Sequence, residues 1–406
     1  MQPKAYRLPT YVPDQIGPSG RARSYPRALA LCLALLLLGC SPDRAIESQR
    51  LLLDMAAGAG PSSLKENTDP PRRVALAYEV DGRARRADLY QPAGVTEGEA
   101  AKAALVLVPG VTPQGKDDPR LVALANSLAR VRFAVLVPDI TNLRSLKVSP
   151  EDSVAIADAL RHLAESEAAA SPPAKVGLVA ISYAAGPAIL AALKDEADEA
   201  VGFLLLIGGY YDITAVVTFF TTGYYRETPE GPWLKGEPNA FGKWAFVQSN
   251  AEVLNTPRDR KLLSSMADRK MRRLDADIDD LVAELGPEGL SVYALLINQD
   301  PERVPALMAS LPQRIVENMR GLDLKPRDLT DLEVPLLLIH GRDDPIIPFS
   351  ESSALAAALP EGQADLYLVD NLAHVELGPA GLGDALTLWR AAYRLLTERD
   401  EMAEEE

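Results

Sequence analysis

Residues 176–184, with the sequence VGLVAISYA, decide the fold that this chain predicts. The first six form an unbroken apolar run, which is typical of a strand covered by helices on both faces of a sheet. Five further runs share this character: 104–108, 133–137, 201–207, 334–339 and 364–369. Helical patterns separate them. Strands that alternate with helices predict an α/β fold with a mostly parallel, doubly wound sheet.

The segments around these runs carry helix and hairpin signals. Residues 149–152, SPED, supply an N-cap, an N1 proline and an acidic first turn ahead of an apolar helix stripe. Before the first buried run, residues 74–80 alternate between apolar and polar or small side chains, and Asp81-Gly82 is a hairpin turn signal ahead of 87–90. We therefore expect an antiparallel hairpin at the start of the folded region.

One connection is too long to be a loop. About 120 residues separate the run ending near Gly208 from the run beginning near Val334, and they contain several helical patterns. We expect residues 213–330 to form a helical cap inserted between two parts of the core, 73–212 and 331–397. Basic and acidic residues are interleaved at 258–280, which favours a solvated helix face over a polyanion site. Residues 398–406 are interpreted as an acidic tail.

The N-terminal region has the features of an export signal. Residues 28–38, ALALCLALLLL, would form a helix of about 17 Å, well short of the ~30 Å hydrocarbon core of a bilayer. Arginines precede the run, so residues 1–39 are predicted to be a signal peptide. Residues 40–72 are rich in Gly, Pro and Ser and are interpreted as a tether with one short helix near Ile46–Met55.

The tetrapeptide Leu37-Leu38-Gly39-Cys40 resembles the lipobox of bacterial lipoproteins. The alternative is a chance cysteine beside an ordinary signal peptide. The resemblance implies that Cys40 is lipidated and becomes the mature N-terminus, which would anchor an exported protein at a membrane of the cell envelope. Ser41 lacks the Asp-type signal for retention in the inner membrane, so the outer membrane is favoured.

Composition excludes several classes of protein. With 47% hydrophobic residues the chain is not intrinsically disordered, and 57 acidic residues against 42 basic ones give a net charge of −15. Removing residues 1–39 makes the charge −19, which argues against a nucleic-acid partner. Both cysteines, Cys32 and Cys40, lie in the first forty residues, so no disulfide is expected in the body.

The sequence offers no basis for a cofactor or a metal site. Three histidines and the absence of thiols beyond Cys40 leave the usual zinc ligand sets incomplete. Neither a Walker loop nor a Gly-x-Gly-x-x-Gly motif at the start of a helix is present. The oligomeric state is not predicted.

Ser182 is the candidate nucleophile. It lies between a buried strand and a helix, where a tight turn exposes the hydroxyl, and Ala180 and Ala184 supply the small residues that such a turn needs. A serine that merely caps the helix is the alternative.

Three histidines are candidates for the base. His374 follows the run 364–369 in a loop, where an open α/β sheet places functional side chains. His162 lies off the apolar stripe of its helix and is expected at the surface. His340 ends a strand and is expected to pack or to hydrogen-bond a loop.

The candidate acids follow two of the strands. Asp343 and Asp344 lie in a turn after the run 334–339, and Asp212 follows the run 201–207. Adjacent aspartates are common in turns because they bond their own backbone, and Asp343 is the expected turn former. The chain order of Ser182, Asp344 and His374 matches one recurrent order of triad residues.

On these motifs the chain resembles the α/β-hydrolases, over about residues 73–396. The most specific part is Gly341-x-x-Asp344-x-x-Ile347-Pro348, followed thirty residues later by His374. The resemblance implies the α/β-hydrolase fold with a cap between two strands, and a triad of Ser182, Asp344 and His374. It also matches residues 108–111, VPGV, to the oxyanion loop, where His-Gly is frequent and this chain has Pro-Gly.

The implied activity is hydrolysis of a carboxylic ester or a related small acyl compound. The backbone N–H groups of Val111 and Tyr183 would bind the oxyanion. Two alternatives stay open: an acyltransferase or peptidase that uses the same triad, and an inactive hydrolase-fold lipoprotein that serves as a binding module in the envelope. Six aromatic residues in 210–225 are expected either to wall an apolar acyl pocket or to dock the cap.

Overall fold

The computed structural model describes residues 41–93, 101–168, 174–194, 198–370, 372–373, 376–377 and 381–404. Eight strands form one sheet: β1 (Arg72–Val80), β2 (Arg83–Gln91), β3 (Ala103–Val108), β4 (Phe133–Pro138), β5 (Val176–Ile181), β6 (Val201–Ile207), β7 (Leu336–Gly341) and β8 (Ala364–Val369). Their spatial order is β1-β2-β4-β3-β5-β6-β7-β8. The pairs that include β2 are antiparallel and the other pairs are parallel, so the sheet is mostly parallel as predicted.

Helices connect these strands. The main ones are α1 (Pro42–Ala57), α2 (Pro119–Arg130), α3 (Asp152–Ala164), α4 (Ala185–Ala192), α5 (Ile213–Thr222), α6 (Ala240–Asn250), α7 (Pro257–Arg272), α8 (Pro287–Ile297), α9 (Val304–Ala309), α10 (Gln313–Leu322), α11 (Ser350–Ala357) and α12 (Leu382–Glu404). Shorter helical turns lie at Ser63–Glu66, Gly115–Asp117, Thr141–Arg144, Ser182–Ala184, Asp198–Ala200, Ala251–Val253, Asp279–Val282 and Pro301–Arg303. Two short strand pairs, Tyr224–Tyr225 with Leu234–Lys235 and Leu372–Ala373 with Glu376–Leu377, stand apart from the sheet.

Alternate residues of each central strand enter different cores. In β3, Val106 packs into a core that includes α3, α4 and α11, whereas Leu105 and Leu107 pack into a core that includes α1, α2 and α12. Every residue of β3 and β4 is buried. The doubly wound architecture therefore follows from strands that are apolar on both faces.

The predicted entry hairpin is present. Val80 of β1 pairs with Arg83 of β2, so the turn consists of Asp81 and Gly82 alone. Both have positive φ angles, 49° and 75°, which is the conformation of the two-residue turns that match the twist of a hairpin.

At both ends of the described region, the structure is more ordered than the sequence predicts. Residues 40–72 are interpreted from the sequence as a tether with one short helix near Ile46–Met55; the helix is present, but α1 is longer than expected and packs on the body. Its Glu47 bonds Arg399 of α12 at 2.7 Å, and Arg399 is 1% exposed. The acidic-tail interpretation of 398–406 is likewise wrong up to Glu404, because α12 continues to that residue and Glu398, Arg399 and Met402 are buried. Burial of a paired arginine orders both segments, which composition alone does not reveal.

The predicted insertion between β6 and β7 is helical, with α5 to α10. It has a small core of its own around Trp244, Leu263 and Met266. Three of its surface cations pair with nearby carboxylates: Arg258 with Glu284, Arg269 with Asp280, and Arg273 with Asp275. These pairs fit the predicted solvated helix face. Among the helices of the described ranges, none has the length and apolar character needed to cross a membrane.

Candidate active site

Ser182 occupies a strained turn between β5 and α4. Its φ angle is +57°, in the left-handed region that side chains with a Cβ rarely adopt, and such a residue costs about 1–3 kcal/mol. The strand ends at Ile181, a single helical turn covers Ser182–Ala184, and α4 begins at Ala185. A serine that simply caps a helix has extended backbone, so the positive φ favours the nucleophile interpretation.

The close approach of strand and helix depends on residues that the sequence pattern did not single out. Ala180 and Ala184 are fully buried, and Ala184 has an ordinary φ of −63°, so neither position needs glycine. A Cβ at Gly186 would lie 2.0 Å from Tyr210 Oη, and one at Gly209 would lie 2.8 Å from Ala185 Cβ. These two glycines allow the close packing around the elbow.

The loop after β3 lies over the nucleophile. A Cβ built on Gly110 would be 3.5 Å from Ser182 Cβ and 3.4 Å from the carbonyl oxygen of Ile181. Val111 follows directly, and Tyr183 lies in the first turn of a helical segment, where backbone N–H groups have no earlier partner in the helix. The two residues that the resemblance assigns to the oxyanion thus adjoin, in sequence, Gly110 and Ser182, which lie close together.

Asp344 lies in the turn after β7, with its side chain 1% exposed. Its Oδ1 accepts hydrogen bonds from the backbone N–H groups of Ile346 at 2.7 Å and Ile347 at 3.0 Å. Asp344, and not Asp343 as expected, therefore forms the turn. The two bonds fix the orientation of its carboxylate.

Asp343 holds the segment that leads to His374. Its Oδ1 accepts a hydrogen bond from Leu372 N–H at 3.2 Å. Gly341 makes close backbone contact with Leu372, because a Cβ there would lie 2.0 Å from the Leu372 carbonyl oxygen. His374 lies outside the described residues, two positions beyond Leu372 in sequence.

Asp212, the third candidate acid, is engaged elsewhere. Its Oδ1 accepts from Thr214 N–H and Ala215 N–H at the start of α5, and its Oδ2 lies 2.7 Å from Lys325 Nζ. These contacts describe a helix cap with an ion pair. They favour Asp344 over Asp212 as the acid.

The two described histidines have structural contacts. His340 is fully buried, with Nε2 donating to the Ile347 carbonyl at 3.0 Å and Nδ1 2.7 Å from Ser352 Oγ. His162 stacks on Tyr78 with ring centroids 4.1 Å apart. Burial lowers the pKa of His162 because it disfavours the charged imidazolium. His340 packs and hydrogen-bonds a loop as expected, whereas His162 is partly covered and not simply a surface residue.

Part of the aromatic cluster at 210–225 packs the cap against the core. Tyr210 is buried and stacks on Tyr183, Phe219 and Phe349 both contact the edge of Tyr225, and Phe220 meets Phe246. Phe220 also lines a cavity inside the cap. Tyr225 meets Phe349 of the core and Tyr210 Oη donates to the Leu322 carbonyl of the cap, so these two serve docking, whereas Phe220 serves the cavity.

A buried carboxyl group near the base of the cap was not foreseen. Glu351 of α11 is 3% exposed and accepts hydrogen bonds from the N–H groups of Tyr211 at 3.0 Å and Asp212 at 2.7 Å. Burial raises its pKa to about 7, despite these bonds. Its position in the serine-rich segment SESSALAA gives no sequence signal for burial. Within the described ranges, no cluster of three or more His, Cys, Asp or Glu is suited to hold a metal ion.

Comparison with known proteins gives structural neighbours only. No family model matches the sequence, and no curated protein matches it. Dienelactone hydrolase from Anabaena variabilis is 14% identical, with a TM-score of 0.41 over 81% of this chain and 98% of its own. Est1E from Butyrivibrio proteoclasticus is 13% identical, with a TM-score of 0.41 over 80% of this chain and 98% of its own.

A third structural neighbour is larger. Acylaminoacyl peptidase from Pyrococcus horikoshii is 14% identical, with a TM-score of 0.43 over 83% of this chain and 42% of its own. Values this low assign neither a family nor an activity. The chain's own features are a mostly parallel doubly wound sheet, a strained serine between β5 and α4, and a helical insertion between β6 and β7. With these features, the chain has the α/β-hydrolase fold.

Proposed function

We propose that the protein is a serine hydrolase that cleaves a carboxylic ester or a related acyl compound with Ser182 as nucleophile. The observation that supports this most directly is the φ of +57° at Ser182, directly after a buried strand. Backbone strain is kept in a fold only where the surrounding structure enforces it, and it concentrates at functional turns. The loop after β3 approaches Ser182 at Gly110, and it would supply the second half of an oxyanion site there.

The proposed reaction follows from this arrangement. His374 would accept the hydroxyl proton of Ser182 as Oγ attacks the acyl carbon. Asp344, whose carboxylate is fixed by two backbone N–H groups, would hold the imidazole tautomer and stabilise its charged form. The N–H groups of Val111 and Tyr183 would bind the oxyanion, with each such donor worth about 3–4 kcal/mol.

The second half of the reaction returns the enzyme to its starting state. The imidazolium of His374 would give its proton to the leaving alcohol, which departs as the acyl group stays on Ser182. Water would then attack the acyl-enzyme, with His374 again accepting a proton. His374 would return this proton to Ser182 Oγ as the bond between Oγ and the acyl carbon breaks, and the carboxylic acid would be released. An acyltransferase would differ only in using another acceptor at this step.

A fluorophosphonate probe tests the nucleophile. We expect covalent labelling of the purified mature protein and none in Ser182→Ala. An acidic product released from simple esters would then establish hydrolysis, and transfer to an added alcohol or amine would identify an acyltransferase. A folded protein that takes no label would contradict the proposal and favour a binding module without catalysis.

We also propose attachment to an envelope membrane through acyl chains on Cys40. Helix α1 begins at Pro42, two residues after this cysteine, and the Glu47–Arg399 ion pair holds α1 on the body. Mass spectrometry of the mature N-terminus should find a diacylated or triacylated Cys40, and Cys40→Ala should shift the protein from the membrane fraction to the soluble one. An unmodified N-terminus at another residue would contradict this.

A further inference from the structure

The cap contains a half-open cavity of about 150 Å³ whose wall is almost entirely hydrocarbon. Its lining comes from several helices and includes Val217, Phe220, Leu263, Val292, Leu295 and Ile315. Two amide side chains also belong to the wall, but both are occupied: Asn250 donates to the Leu146 carbonyl at 2.9 Å and Asn318 to the Val148 carbonyl at 3.2 Å. The cavity therefore presents few polar partners to a ligand.

This chemistry selects the kind of ligand that can bind. A water molecule needs about two to four polar partners to be retained in a protein, so water that enters this apolar cavity from solvent is held weakly and a hydrocarbon group can displace it. An apolar cavity of about 150 Å³ accepts an aromatic or aliphatic group of about six carbons. Hydrocarbon is therefore the only common ligand chemistry that gains from this space.

Two hydrogen-bonded contacts connect the cavity wall to the neighbourhood of Ser182. Val148 lines the cavity, and the next residue, Ser149, donates its N–H to Tyr183 Oη at 2.8 Å. Leu322 also lines the cavity, and its carbonyl accepts from Tyr210 Oη at 3.2 Å. Tyr183 follows the nucleophile in sequence, and Tyr210 stacks on Tyr183.

We propose that the cap cavity binds the hydrocarbon chain of the acyl substrate, which makes medium-length acyl esters the preferred class. This inference rests on the proposed hydrolase activity and extends it to substrate choice. The cavity is separate from the oxyanion site, so it would select the chain without touching the reacting carbonyl. Its size limits the part of the chain that it can hold to about six carbons.

The first test is a series of straight-chain esters with one leaving group. Each added methylene that enters the cavity should raise kcat/KM about fourfold, since burial of one methylene is worth about 0.8 kcal/mol. The increase should end once the part of the chain inside the cavity reaches about six carbons. A flat profile, or a steady fall from the acetyl ester onward, would overturn the proposal.

Substitutions in the cavity wall should shift the preferred acyl chain length in opposite directions. Val217→Phe should fill the cavity and lower the ratio of kcat/KM for hexanoyl over acetyl ester at least tenfold, whereas Phe220→Ala should move the optimum to longer chains. Val282→Phe is a control of the same size in the cap, because Val282 is partly buried but does not line the cavity. Unchanged optima in both wall variants, or equal shifts in the control, would contradict the proposal.

Binding of free benzene tests the cavity independently of catalysis. Benzene should raise the melting temperature of the wild type and of Ser182→Ala, but not of Val217→Phe, because a ligand that binds only the native state stabilises it. Absence of this effect in the folded wild type would refute a hydrocarbon site. If benzene binds while no fluorophosphonate labelling occurs, the proposed hydrolase activity fails, and with it the acyl assignment of the site.

Discussion

The carboxylate of Asp343 accepts a hydrogen bond from the backbone N–H of Leu372 at 3.2 Å. It thereby joins the turn that carries Asp344 to the segment that leads to His374. The two adjacent aspartates have different contacts, because Asp344 bonds its own turn and Asp343 bonds the next loop. We infer that Asp344 acts on the base and that Asp343 positions the loop.

The two aspartates should therefore respond differently to substitution. Asp344→Asn should lower kcat about 10⁴-fold, since an amide favours the wrong imidazole tautomer. Asp343→Ala should have a smaller effect on kcat, of about tenfold, because it loosens the loop and leaves the acid in place. Steady-state kinetics on one ester measures both.

Asp212→Ala is the control for the remaining alternative acid. It should lower the free energy of unfolding by about 1 kcal/mol through loss of the α5 cap, with kcat within a few-fold of the wild type. If Asp212→Ala abolished turnover and Asp344→Asn did not, the assignment of the acid would be reversed.

The strain at Ser182 predicts a difference in stability between two inactive variants. Ser182→Gly removes the Cβ that disfavours a positive φ, whereas Ser182→Ala keeps it. We expect Ser182→Gly to be about 1 kcal/mol more stable to urea than Ser182→Ala, with neither labelled by fluorophosphonate. Equal stabilities would mean that the turn is not strained in solution.

The histidines give a third prediction. His340→Ala should be strongly destabilising, because it leaves a buried space and removes the partners of Ser352 and of the Ile347 carbonyl. His162→Ala loses only its stacking on Tyr78, at a cost of about 1 kcal/mol, and should retain full turnover. His374→Ala should abolish turnover and leave the melting temperature nearly unchanged. Retained turnover in His374→Ala would disprove the base assignment.

Much of the fold could be predicted because its strands are apolar on both faces. Three strands, Val176–Ile181, Val201–Ile207 and Ala364–Val369, have the bounds that their apolar runs predict. The strand expected from residue 334 begins instead at Leu336 and continues through His340 to Gly341. A histidine satisfied by Ser352 and a backbone carbonyl can be buried in a strand, and local hydrophobicity cannot reveal such partners.

The candidate site was less predictable than the fold, because its packing depends on partners that local sequence does not reveal. Small residues on either side of Ser182 predicted a tight turn, but the close packing depends on Gly186 and Gly209, whose contacts lie on different elements. The order of α1 and of the end of α12 depends on Arg399, which contacts Glu47 across more than 350 residues. Contacts between distant parts of the chain leave no periodic signal in a single sequence.

Glu351 predicts how the free energy of unfolding changes with pH. Its pKa is raised from 4.5 to about 7 by burial, with Asp212, Asp323 and Lys325 as the nearby charged groups. Between these pH values the native state keeps a proton that the unfolded state has lost. The free energy of unfolding therefore falls as pH rises through this window, by about 3 kcal/mol for this group in full.

Glu351→Gln should remove this contribution. A glutamine carbonyl can still accept the N–H groups of Tyr211 and Asp212, but it carries no titrating proton. Urea unfolding at pH 5 and pH 8 should show the variant gaining stability relative to the wild type as pH rises, whereas the exposed Glu361→Gln should follow the wild type. A variant whose stability difference from the wild type is the same at both pH values would show that Glu351 is already ionised in the native protein at pH 5, with Tyr211 and Asp212 stabilising its charge.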